Sequence, residues 1–226
     1  MRWMIAWVST LALAAGGVHA EPSAATLHQW VCQAVVETVM QQDSGASRQL
    51  AGAAVHLDHD LRSKVLAFDQ ELSQVARLVQ PGEPLPAERL ASFSRVLNDL
   101  LRELQPRQSQ GALSDLPERV EFLTLLYVAR NEIGALRPAR EWQGSYLGLD
   151  ITELAQSIDA QMQQFDGQTN SANLQDALTR WRYIRSQFLH YKTLPPSSLS
   201  VSRQGQVIAQ RLRDERSDQV GAMRGR

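Results

Sequence analysis

The chain has one cysteine, Cys32, among its 226 residues. A single thiol excludes an internal disulfide, so stability has to come from the apolar core. Lysine is nearly absent: Lys64 and Lys192 are the only two, and the other basic residues are arginines. The 23 basic and 24 acidic residues leave a formal net charge of −1, which offers no argument for binding nucleic acid. Beyond the first twenty residues no stretch approaches the ~18 apolar residues of a membrane-spanning helix. The longest, Phe122 to Ala129, is closed by Glu121 and Arg130. No segment alternates apolar and polar residues as a half-buried strand does.

Catalytic signatures are missing too. There is no Glu-x-x-His for a di-metal bundle. There is no Cys-x-x-Cys-His for haem attachment. Gly-x-Ser-x-Gly, His-Glu-x-x-His and the phosphate loop are also absent. With five histidines in all and no paired motif, an enzyme is disfavoured. An enzyme with no recognisable motif stays open as an alternative.

What is present begins with a leader. Arg2 precedes an apolar run from Met4 to Ala15, and Val18-His19-Ala20 places small residues before Glu21. This pattern predicts a secretory signal peptide over 1–20, cleaved after Ala20, and hence a periplasmic or secreted protein. Residues 21–196 are expected to form the folded domain, with no transmembrane anchor in the mature chain. Residues 197–226 are expected to be a polar, Arg-rich tail with at most a short helix near 204–216.

Apolar residues recur at helical spacing through the expected domain. The pattern predicts helices over about 24–42, 46–80, 87–105, 116–136, 151–165 and 172–191. The second is one long amphipathic helix, striped by Leu50, Ala54, Leu57, Leu61, Val65, Phe68, Leu72, Val75 and Val79. A polar linker spans 106–114. Asp115 with Glu118, and Asp150 with Glu153, have the form of capping boxes. The fold class is therefore all-α, an antiparallel bundle of about six helices. The helix from 116 is apolar almost all round and is expected at its centre.

His28 and Cys32, four apart, share a helix face and open the alternative of a metal or cofactor site. Their neighbours Leu27, Val31, Val35 and Val39 favour a buried thiol beside a hydrogen-bonded imidazole, and no cofactor is expected. His56-Leu57-Asp58-His59-Asp60 clusters only in one dimension and is expected on a solvated helix face.

Two groups point to binding. Thr124, Tyr127 and Asn131 fall within about sixty degrees of one another on the central helix, a polar seam that needs partners or a ligand. Arg185, at the edge of the stripe carrying Trp181, could add charge to it. Arg137, Arg140, Trp142 and Tyr146 form an Arg-aromatic group in the loop that follows.

Phe68-Asp69, Leu72, Val75 and Leu78, then Trp181, Ile184-Arg185, Pro195 and Ile208, resemble the periplasmic helical sensor modules of type IV pilus chemotaxis transducers and nitrate sensor kinases. The resemblance covers about half the mature chain in scattered positions. It implies a bundle that senses small anions or surface cues. The family's Arg-Gln-Arg-Met-Leu-like ligand segment, its second membrane helix and its signalling region are missing, so no binding residue carries over. The expected function is a binding or interaction module for a small anionic ligand or an envelope protein.

Overall fold

The computed structural model describes residues 22–43, 45–80, 83–105, 113, 115–142, 144–167 and 171–224. The leader, its cleavage point and most of the expected 106–114 linker lie outside these. Eight α-helices are found among them: α1 (Ala24–Val39), α2 (Gly45–Ala54), α3 (His59–Leu78), α4 (Ala87–Leu104), α5 (Leu116–Glu132), α6 (Ile151–Phe165), α7 (Ala172–Leu189) and α8 (Ser198–Arg224). A 3₁₀ turn, Tyr146–Gly148, precedes α6. No described helix is long and apolar enough to cross a membrane.

The all-α class holds, but with eight helices where about six are expected. One extra comes from a break in the expected helix 46–80. Asp58 turns its carboxylate onto the Leu61 amide (2.9 Å) and starts α3. Arg62 then donates to the carbonyls of Ala54 (2.8 Å), Val55 (2.7 Å) and Leu57 (3.0 Å), closing the end of α2. The stripe runs on unbroken through buried Leu57, so periodicity alone conceals the break. His59 and Asp60 are about as exposed as side chains can be, at 96% and 95%.

The other extra helix is α8, and it corrects the expected tail. Val201, Ile208, Ala209 and Leu212 are wholly buried. Arg211, Arg213 and Arg216 pair with acids on other helices, so a segment that is polar on average still carries a narrow apolar stripe.

α1 and α5 pack together at the centre. α2, α3 and α4 form one wing, resting on α1; α6, α7 and α8 form the other, with α6 and α8 against α5. α5 is buried from Leu116 to Ala129 except at half-buried Arg119, in keeping with its apolar circumference. It stops at Glu132, short of the expected 136, where Gly134 takes φ +111°. The Asp150–Glu153 capping box forms, with Asp150 accepting from the Thr152 (2.8 Å) and Glu153 (2.9 Å) amides. The Asp115–Glu118 box does not. Asp115 makes no capping hydrogen bond, because Glu118 faces α8 and is fully buried.

Candidate ligand cleft between α1, α5 and α8

Two acids three residues apart on α5 meet two arginines three residues apart on α8. Arg216 donates to both oxygens of Glu118 (3.1 and 3.3 Å), and Arg213 pairs with Glu121. Residue order reverses across the pair, 118 to 216 and 121 to 213, so the two helices run in opposite directions here. The i, i+3 spacing puts each pair on one face of its helix. Buried ion pairs add little net stability but penalise misalignment, so these two set the register of α8 on α5. The Nε and Nη1 of Arg213 are buried without a hydrogen-bond partner.

Glu121 also receives His28. Its Oε2 lies 3.2 Å from the imidazole Nδ1. A carboxylate can only accept, so Nδ1 carries the proton between them. The hydroxyl of Tyr146 lies 2.8 Å from Nε2. Burial, first of all, raises the Tyr146 pKa well above the ordinary phenol range, with smaller contributions from Cys32, Glu118, Asp115 and Glu121. The phenol thus keeps its proton. Cys32 Sγ stands 3.8 Å from His28 Nδ1. Its thiol is raised well above its usual range, chiefly by burial and next by the Glu121 charge, with Arg213 opposing. A thiol kept protonated is a poor nucleophile and a poor metal ligand. Both imidazole nitrogens are turned to protein groups. Among the described residues no three His, Cys, Asp or Glu side chains are gathered to hold a metal ion.

Beside this network lies a cavity of about 250 Å³. Gln29 and Gln33 stand on its α1 wall, and Gln206 and Gln210 on its α8 wall. Thr124 and Glu121 form the α5 side, with Cys32 and Ser202 deeper. Gln33 and Gln210 donate to Glu37 (2.7 Å) and Asp214 (2.8 Å) on their own helices. α8 approaches α5 closely at Gly205. A Cβ there would lie 2.2 Å from Thr124 Oγ1 and 3.0 Å from its Cγ2.

The four residues expected to form a site are not brought together. Thr124 lines the cavity, with Oγ1 donating to the Val120 carbonyl at 2.8 Å. Tyr127 is tied off: its hydroxyl donates to Gln187 (2.8 Å) and accepts from the Ser197 amide (3.1 Å). Asn131 Nδ2 is buried without a partner. Arg185 pairs with Asp159 at 3.3 Å, and Asp159 also accepts from the Trp181 indole at 2.8 Å.

Sequence reasoning finds His28 and Cys32 but passes over Glu118, Glu121, Arg213 and Arg216. Their signal is the matched spacing, Glu-x-x-Glu and Arg-x-x-Arg. It becomes legible only once α8 is known to pack on α5. No family model, no curated protein and no solved structure matches the chain.

Proposed function

We propose that the chain is an exported helical binding module, and that its ligand site is the cleft between α1, α5 and α8. Export follows from the leader pattern over 1–20. The ligand class follows from the lining. Its one charged member, Glu121, is an acid already held by His28 and Arg213. No cation lines the cavity, so an anion entering it would meet no compensating charge. Carboxamides and hydroxyls offer both donors and acceptors, which suits a small neutral molecule bearing hydroxyl or amide groups. The observation that carries the reading is the pair of opposed glutamine walls, above all Gln29 and Gln206, whose amides find no partner among the described residues.

An envelope-protein partner would call for a continuous exposed apolar face. Val55 is exposed in the turn after α2, and Leu66 and Leu78 on α3, but the two leucines stand singly, twelve residues apart along the helix, and isolated apolar residues are ordinary surface.

The test is a melting-temperature screen of the purified mature protein against neutral sugars, polyols and amides on one side and small anions on the other. Ligand stabilisation grows as RT ln(1+[L]/Kd). A neutral compound should raise Tm, and Gln29→Ala and Gln206→Ala should each remove that rise while keeping the basal Tm. Stabilisation by anions alone, or by neutral compounds equally in both variants, refutes this site.

A further inference from the structure

Toward the C-terminal end of α5, a second cavity of about 190 Å³ opens between α5, the following loop, the start of α6 and the turn after α7. Leu126, Leu136 and Ile151 supply buried apolar wall. Arg130 and Arg140 stand at it, both exposed. Arg130 lies over the ring of Tyr191, 4.7 Å from its centre, a geometry that holds the guanidinium in place without neutralising it. Neither arginine has an acidic partner among the described residues. The one acid in the lining, Asp150, spends its carboxylate on the Thr152 and Glu153 amides at the start of α6.

Eight arginines on other helix faces, Arg89, Arg119, Arg180, Arg182, Arg185, Arg211, Arg213 and Arg216, meet acids. Arg130 and Arg140 differ from these in standing together, without an acid partner among the described residues, at one small apolar cavity. We propose that this cavity is a second binding site, for a small organic carboxylate with an apolar body. The body would rest on Leu126, Leu136 and Ile151, and the carboxylate would take charge-assisted hydrogen bonds from Arg130 and Arg140. The site shares no residue with the α1–α5–α8 cleft and does not depend on that cleft being a site.

Phenylacetate, phenylacetamide and acetate separate the two halves of this requirement: body with charge, body alone, charge alone. Titration of the full chain, followed by calorimetry and melting temperature, should show saturable binding of phenylacetate only. Arg140→Ala, on an exposed side chain, should melt like the parent and bind phenylacetate roughly tenfold or more weakly, the loss of about one charge-assisted contact. Arg130→Ala should do the same. Gln206→Ala, in the other cleft, should bind it as the parent does. The proposal is overturned if phenylacetamide or acetate binds as well as phenylacetate. It is overturned equally if Arg140→Ala leaves the affinity intact, or if no saturable binding occurs up to about 10 mM.

Discussion

Gly205 on α8 and Gly52 on α2 make a matched pair of perturbations with opposite expected signs. Both lie inside helices, where replacing glycine by alanine stabilises by about 1 kcal/mol through helix propensity. At Gly52 a new Cβ meets nothing within 4 Å. Gly52→Ala should therefore gain the full propensity term. At Gly205 the Cβ would lie 2.2 Å from Thr124 Oγ1, 3.0 Å from Cγ2 and 3.1 Å from Cβ. Rotating Thr124 exchanges one clash for another, because both branches of its side chain are already close. Its hydroxyl is also held by the Val120 carbonyl. The helices must part, and overpacking of this kind costs about 1–3 kcal/mol or more. Set against the propensity gain, the net expectation for Gly205→Ala is a loss of up to roughly 2 kcal/mol, a fall in Tm of up to about 8 °C at the ~2–4 °C per kcal/mol of a chain this size. Adding Thr124→Ala removes the two nearest atoms and should restore most of the loss. The resulting double-mutant cycle isolates the contact itself. Chemical denaturation with a common m-value is the assay. If Gly205→Ala stabilises as Gly52→Ala does, α8 does not approach α5 at Thr124, and the cleft they frame is not there.

Truncation after Ser197 should abolish cooperative unfolding. It removes buried Val201, Ile208 and Leu212, each worth about 1.5–3 kcal/mol of burial. It also strips the cations from buried Glu118 and Glu121, at about 3–5 kcal/mol per broken pair, together reaching the ~5–15 kcal/mol of a whole domain. Cys32 should label slowly with a thiol reagent under native conditions and fully in denaturant; rapid native labelling would contradict its burial. Cys32 and Tyr146 both have raised pKa values in the folded state. Their protons leave the unfolded chain first, so stability should fall as pH rises through about 8.5 and then 10, the unfolded thiol and phenol values. Cys32→Ala should flatten the first part of that fall, and an unchanged alkaline limb would contradict the assignment. Mass spectrometry of the exported protein should find Glu21 as its first residue; a retained Met1 would refute cleavage after Ala20.

The helical class and the central place of α5 are legible in the sequence because both depend on apolar periodicity, a local property. The break between α2 and α3 is not, because Leu57 keeps the stripe in phase while Asp58 and Arg62 end one helix and start the next. The Asp115 capping box misleads for a tertiary reason: Glu118 has a stronger partner in Arg216, 98 residues away, than in its own helix's first amides. The same distance hides the ion pairs beside the cleft. α8 looks like a tail because its arginines dominate its average hydropathy, although they are the residues that dock it. Of the expected site, Thr124 reaches a cavity, whereas Tyr127 and Arg185 are already engaged by Gln187 and Asp159.

The pairing of α5 with α8 also bears on when the molecule can become itself. Contacts within the α1–α4 wing join near neighbours in sequence and can form early, whereas the central helix waits on side chains almost a hundred positions further along. Until Arg213 and Arg216 arrive, Glu118 lacks its arginine and Glu121 has only His28, so burying either acid against α5 carries a desolvation cost. A nascent chain lacking its last helix is then held open by its own acids. If the chain is exported, as we propose, and crosses the membrane unfolded, such a delay would be a timer set by the order of the residues.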